Sequence, residues 1–392
     1  MVSHAPAVPT HRRRRDTTEL TVTRTADLAG LTEAGLTEEW RALADRGAPR
    51  NPFAAPDWTT TWLRHFVAER DTAVLAIRRN DDLIGIAPWY VRRIAGGIRT
   101  VQLAGTVRHP ELTELPQVIA APGEHRSVLR AAIEYWCSRP GTWDWLELPI
   151  ENGQGWFEPE WLGAGFVVRH KAVRPAVVLP LPDDVATLKS GLKRNVTESV
   201  RRARNRLDRS ESDWEITAHT GEAVAAALRT LRALHRTRAE LAGRRRHPDM
   251  LADDDRFACY AEAVGRLADA DRAEVLTLDV AGVAVAALLV LRSAQAGYLA
   301  LSGVAPAWWQ VSPVTLLQWT AMCRAVERGD AEVNLSMGPD VAKLRWSEHV
   351  VPHMEFVVCG PRTRSRLLLT GYTALGVVAG MRRETRRHEV AR

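Results

Sequence analysis

The side chains able to move protons or hold charge gather in the second half of the chain. His235 and Arg238 stand three apart in Leu234-His235-Arg236-Thr237-Arg238. On a helix that spacing puts both on one face. Such a histidine can serve as base or binder, and the plainer reading is a core-edge histidine with Arg238 paired nearby. Lys343 follows Asp340 by three residues, just past Gly338-Pro339. The plainer reading of that pair is a turn-forming aspartate after proline and a surface lysine beside it. Between positions 189 and 209, Lys189, Lys193, Arg194, Arg201, Arg202, Arg204, Arg206 and Arg209 stand against only Glu198 and Asp208. That stripe suits coenzyme A, a tRNA acceptor stem or an anionic head group, or is simply a solvated face. No G-x-S-x-G occurs, and Cys137, Cys259, Cys323 and Cys359 form no C-x-x-C pair. No covalent nucleophile, zinc knuckle, other metal site or disulfide framework is indicated.

The elements that must position these groups are bounded by size and composition. A chain of 392 residues, 46% hydrophobic and 26% charged, is globular and long enough for two domains. The 14 tryptophans are read as packing, and the net charge of +6 permits an anionic partner without requiring one. Residues 1–19, with Arg12 to Arg15 and almost no apolar content, read as a disordered basic tail. No apolar run reaches the length of a spanning helix and no secretory pattern follows the first arginines, so a reducing, cytoplasmic setting is expected. After Arg362, Arg364 and Arg366 a largely apolar stretch, 367–381, leads to Arg382, Arg383, Arg386 and Arg387. It suits peripheral membrane contact through 362–387, or packing on the second domain, and both stay open.

Periodicity predicts helices at Leu36–Ala44, Trp58–Val67 and Ser127–Cys137, and strands at Ala73–Ile77, Leu83–Val91, Val101–Leu103, Trp145–Leu148 and Phe166–Val168. The second half predicts one basic helix over Val185–Leu207, further helices over Gly221–Leu241 and Asp255–Ala268, and hairpin-linked strands Ala273–Asp279, Val283–Arg292 and Gly297–Ser302. A helix opened by Pro313 and strands Glu332–Ser336 and His353–Cys359 follow. Both halves read as helices, a hairpin sheet, a helix and more strands. Domains are therefore drawn at 20–180 and 181–361, with 362–392 a tail helix.

Asp279-x-x-Gly282, Tyr298-Leu299-Ala300-Leu301-Ser302-Gly303-Val304-x-Pro306, Ser312-Pro313-x-x-Leu316-Leu317 and Gly338-x-x-x-x-Lys343-x-Arg345-Trp346 together resemble the CelD/BioF-like branch of the GNAT acyltransferases. Asn51-Pro52-Phe53-Ala54-Ala55-Pro56-x-Trp58 is similar to that branch's opening. More distantly the chain resembles Fem-type aminoacyl transferases, which carry two GNAT-like units. The resemblance implies an α+β fold of two tandem GNAT-like domains, each a mixed, largely antiparallel sheet flanked by helices, the second catalytic and the first mainly a scaffold.

The implied activity is direct N-acyl transfer from acetyl-CoA or another acyl-CoA to a small-molecule or cell-envelope amine, with the donor in a wedge opened in the second sheet. Val311, Ser312, Pro313, Val314 and Thr315 would hold its pyrophosphate at a helix N-terminus, although the loop has no glycine and Val314 narrows the approach. Lys343 would stabilise negative charge on the reacting carbonyl, with Asp340 as proton acceptor and His235 as base or binder. Arg238, Tyr298 and Arg345 would bind substrate. The resemblance leaves two rivals. One is an aminoacyl-tRNA donor, as in Fem-type enzymes. The other is a non-catalytic polyanion-binding protein, since Asn334, Met337 and Ala342 stand where the branch has aspartate, arginine and tyrosine.

Overall fold

The computed structural model describes residues 20–374 apart from 34, 107, 108, 110, 152–156, 158–161, 163, 164, 211 and 241–247. The basic tail 1–19 lies outside them. In the first half, β1 (Leu20–Thr25), α1 (Gly30–Glu33) and α2 (Leu36–Gly47) lead to α3 (Pro56–Phe66). Pro56 sits in the first turn of α3, where its missing N–H costs nothing. Trp58, Trp62 and Phe66 then recur on its buried face. Next come β2 (Thr72–Arg79), β3 (Asp82–Ile94), β4 (Ile98–Leu103), the two-residue β5 (Ile119–Ala120), α4 (His125–Cys137), β6 (Trp145–Glu151) and β7 (Val167–Pro180).

The second half repeats this order with α5 (Val185–Gly191), α6 (Arg194–Asp208), β8 (Trp214–His219), α7 (Ala223–Ala239), α8 (Asp254–Asp269), β9 (Ala273–Val280), β10 (Val283–Arg292), β11 (Ala296–Val304), α9 (Pro313–Arg328), β12 (Glu332–Met337), α10 (Val341–Leu344) and β13 (Val350–Cys359). The single basic helix expected over Val185–Leu207 is two. Leu192 and Lys193 are extended between them, after Gly191 ends α5.

All strands join one sheet in the order β1-β2-β3-β4-β6-β13-β7-β12-β11-β10-β9-β8, with β5 beside β3. The order is palindromic about β13-β7. Each half lends its last strand to the other: β7 pairs with β12, and β13 pairs through His353–Cys359 with the whole of β6. The boundary drawn at 180–181 falls at the end of that exchanged β7. Only β4 with β6 and β11 with β12 run parallel, so the expected mixed, largely antiparallel α+β sheet with flanking helices is what forms.

On one face, α2, α3, α7 and α8 share a single core that runs across both halves. There Phe53 lies edge-on to Tyr298, at 5.1 Å, and Trp58 edge-on to Tyr260, at 5.4 Å. On the other face each half keeps its own core, under α4 and under α6 with α9. Ion pairs stitch the halves together, with Arg272 gripping Asp45 through two bonds of 2.7 Å.

The central seam carries a pH signature. His353 on β13 is pushed down to about 4 from 6.5 by burial and then by the charge of Arg174 opposite it. Between those two values the unfolded chain binds the extra proton and the folded chain does not, so stability falls as pH drops through that window. The shift corresponds to roughly 3 kcal/mol by pH 4. Urea unfolding from pH 7 down to pH 4 should show that loss in the wild type and a much flatter profile in His353→Gln.

Candidate active site

β11 and β12 share only three register pairs, Ala296 with Glu332, Gly297 with Val333 and Tyr298 with Asn334. Beyond Tyr298 the two parallel strands part. Two irregularities drive the parting. Ala300 is the extra residue of a bulge against β10, and β12 slips against β7 between Asn334 and Met337. Within that slip Ser336 holds φ +70°, a strained left-handed backbone for a non-glycine residue, and Asn334 Oδ1 accepts its N–H at 2.9 Å.

Lys343 reaches the parted strands from α10. Asp340 starts that short helix by accepting the Lys343 N–H on Oδ1 at 2.9 Å. The Lys343 ammonium donates to Ser336 Oγ at 2.9 Å and to the Met337 carbonyl oxygen. An ammonium has three donors, so one remains for a ligand. Burial lowers the Lys343 pKa from its ordinary 10.5, against the opposing pull of Glu114 and Asp340.

Glu114 was not singled out in the sequence, and it comes from the first half. Its Oε2 accepts the Met337 N–H at 2.8 Å and the Tyr298 hydroxyl proton. The loop carrying it is pinned on both sides: Trp58 Nε1 donates to Thr113 Oγ1 at 2.9 Å, and Asn51 Nδ2 donates to the Leu115 carbonyl at 2.8 Å. Gly105, at φ +83°, packs so closely on Thr113 that an added Cβ would lie 2.3 Å from it. The readable signal was Asn51 and Trp58 in the opening motif. What they hold is distant in sequence.

The remaining expected residues are brought close, with altered parts to play. Tyr298 is buried in the aromatic core and offers only its hydroxyl, to Glu114. Burial first and that carboxylate second raise its pKa well above 10.0, so it stays a donor. It orients Glu114 rather than binding substrate. His235 is 4% exposed, its Nδ1 faces the Ser302 carbonyl at 3.0 Å, and its Nε2 accepts from the Met250 N–H at 3.3 Å. Both ring nitrogens are engaged and burial lowers its pKa, which is the arrangement of a core-edge histidine, the plainer reading, and leaves no ring nitrogen open for the alternative role as a base. Arg238 donates to Ser302 Oγ at 2.9 Å and lies 6.0 Å over the Trp309 ring. Asp340 is an exposed helix cap whose charge acts on Arg238, Arg345 and Lys343.

The loop Val311–Thr315 does without glycine because Ser312 itself adopts the left-handed conformation, φ +61°, and turns the chain into α9. No side chain caps that helix end. Pro313 has no N–H and Thr315 gives its own to the Ser312 carbonyl at 3.0 Å, so it is the Val314 N–H and the positive dipole end that face the loop. Arg345 donates to Thr315 Oγ1 in the first turn, at 2.9 Å, while its buried Nε meets no partner among the described residues. An uncapped helix end beside a buried guanidinium nitrogen left without an acceptor fits a phosphate-bearing donor, so Arg345 belongs to this loop more than to an acceptor pocket. Trp346, by contrast, is 3% exposed and packs into the core under α9, with Nε1 on Gln318 at 3.2 Å. Trp346→Ala should cost ~3–5 kcal/mol in urea unfolding.

Residues 194–344 match the family model of the acetyltransferase (GNAT) domain. That segment is similar to a GNAT-type acetyltransferase domain. Among solved structures the fold is similar to that of FemX, at TM-score 0.61 and 12% identity over 84% of this chain and 98% of that one. It is also similar to a conserved protein of unknown function from Bacteroides thetaiotaomicron VPI-5482, at TM-score 0.55 and 12% identity over 87% of this chain and all of that one. Comparison with curated proteins gives no match.

The GNAT-like segment runs from α6 to the end of α10, and so contains Lys343 but not Glu114. Its basic stripe is exposed on α6. Lys193 pairs with Glu348, and Arg194 and Arg202 with Glu198, while Arg201 and Arg204 line a groove with Trp319. Beyond the segment, a final helix over 363–374 docks Leu369 into a small core with Trp145, and Tyr372 lies 5.3 Å from the Trp145 ring. Packing thus accounts for the described start of the apolar run, and the rest lies outside the described residues. No helix among the described residues is long and apolar enough to cross a membrane.

Proposed function

We propose that this protein transfers an acyl group from acyl-CoA, acetyl-CoA in the simplest case, directly to an amine at the opening between β11 and β12. The observation that carries the reading is the pair of groups at that opening. A half-buried ammonium, Lys343, and a carboxylate, Glu114, approach the same Met337 backbone from opposite halves of the chain. The donor supplies an activated carbonyl. Val314, Thr315 and Arg345 would hold its phosphates, and the free donor of Lys343 would meet the carbonyl oxygen as it gains charge. Glu114, with Oε2 fixed by Tyr298 and Met337, would take the proton of the incoming amine on Oε1 as the C–N bond forms; the C–S bond of the thioester then breaks and coenzyme A leaves as the thiolate, which takes up that proton through solvent.

An aminoacyl-tRNA donor is the second reading, favoured by the exposed arginines of α6 beside Trp319. Calorimetry with acetyl-CoA at two salt concentrations, and an acyl-transfer assay with and without ribonuclease, separate the readings. Saturable acetyl-CoA binding that weakens about tenfold in Arg345→Ala is the expected result, since a hydrogen bond to a charged group is typically worth ~1.5–3 kcal/mol. Ribonuclease-sensitive transfer favours the tRNA donor. Salt-steep binding of polyanions with no transfer from either donor would reduce the protein to a binding scaffold.

A further inference from the structure

The palindromic sheet contains a second opening. β4 and β6, the first-half counterparts of β11 and β12, share only Thr100 with Trp145 and Val101 with Leu146 before they separate. Beside that gap, over β6, β7 and β13, lies a cavity of about 480 Å³ lined among others by Glu111, Glu147, Lys171, Arg174, Glu355 and Phe356. Its size falls within the range of small-ligand sites.

Three carboxylates and two cations line it; Glu111 is taken up by Arg256 at 2.8 Å, and the other four charges are not fully spent on one another. Glu147, 7% exposed, is held by Lys171 at 2.6 Å and by Gln102 Nε2 at 3.3 Å. Glu355 is different. Among the described residues it meets its cations, Arg174 and Lys171, only at 3.5 and 3.6 Å, beyond the ~2.7–2.9 Å of a charge-assisted hydrogen bond. Among the described residues Arg174 has no closer partner than Glu355. A carboxylate and a guanidinium side by side, each short of a full partner, recognise a ligand that carries both an ammonium and a carboxylate.

The cavity also borders the candidate active site, across a gap of only about 10 Å³. Pro149, Arg174 and Glu355 line both it and a narrow gap whose other wall is Glu114 and Met337. We infer that the first-half opening binds the acceptor, and that the acceptor is a zwitterionic amine, an amino acid or short peptide. Its carboxylate lies on Arg174 and Lys171, and its ammonium on Glu355, on the side of the cavity that borders Glu114. This inference rests on the acyl-transfer reading for the word acceptor, but not for the site itself.

The test uses the full chain and three probes of one shape: glycylglycine, its C-terminal amide and N-acetylglycylglycine, which carry both charges, the positive one and the negative one. Calorimetry should find glycylglycine bound at least tenfold more tightly than the other two. Arg174→Gln should erase the preference over the amide, and Glu355→Gln the preference over the acetylated probe. A variant that merely folds badly would lower all three affinities together, so the selective pattern is the readout. Equal affinities, no saturable binding of glycylglycine, or preferences unmoved by both substitutions would overturn the inference. Acetyl-CoA titrated in parallel keeps the two claims apart. Donor binding without probe preference sinks the acceptor site alone, and probe preference without donor binding or transfer sinks the acyl-CoA reading alone.

Discussion

Replacing Lys343 with alanine is expected to lower the transfer rate by a factor of ~10²–10³ while leaving unfolding by urea nearly unchanged. The size follows from removing one fixed donor aimed at developing charge. The small stability cost follows from the position of the side chain. Its ammonium bonds only Ser336 Oγ and the Met337 carbonyl at the edge of the opening, and the α10 cap uses the Lys343 backbone N–H, which alanine retains. The pH profile gives a second check. Lys343 must be protonated to act, and burial holds its pKa below 10.5, so the alkaline fall in rate should lie below that of an exposed lysine. Lys343→Arg keeps the charge and should move the fall to higher pH, with partial activity. If Lys343→Ala loses stability and rate in proportion, or keeps its rate within a few-fold, the lysine has no part in the chemistry.

Much of the second half was legible because its signals are local. The hairpins, the Pro313 helix start and the Lys343 pattern each depend on neighbours in sequence, and each element formed close to its expected bounds. Four features were not legible, because each depends on contacts that a segment's own residues do not display. The exchange of β7 and β13 is a choice between sheet edges of equal alternation, and a strand's own residues do not say which edge it joins. The break at Leu192 sits in a segment where charge pattern alone favoured a continuous helix. His235 stayed open as a base because a histidine beside an arginine on one helix face is all that sequence displays. Its two partners, the Ser302 carbonyl and the Met250 N–H, come from elsewhere in the fold. The missing glycine before α9 was read as a narrowing, yet Ser312 adopts the same left-handed turn.

The second large effect concerns a residue outside the GNAT-like segment. Glu114→Gln is expected to lower the rate by ~10²–10⁴, the range for loss of a general base. The amide keeps nearly the same shape, and its oxygen can still accept from the Met337 N–H and the Tyr298 hydroxyl, so folding should be intact, but it cannot take up a proton. Tyr298→Phe is the informative companion. It leaves the carboxylate in place and removes only the group that orients it, so a smaller loss is expected, and the pair together should lose little more than Glu114→Gln alone. Acetyl-CoA affinity should be unchanged in both, because neither residue lies at the α9 end. If Glu114→Gln retains the wild-type rate, the amine proton leaves by another route and Glu114 is only a strut between the halves. If it behaves as expected, the first half is more than a scaffold. The loop held by Asn51, Trp58 and Gly105 then carries a catalytic group across the shared sheet, and the two halves make one active site.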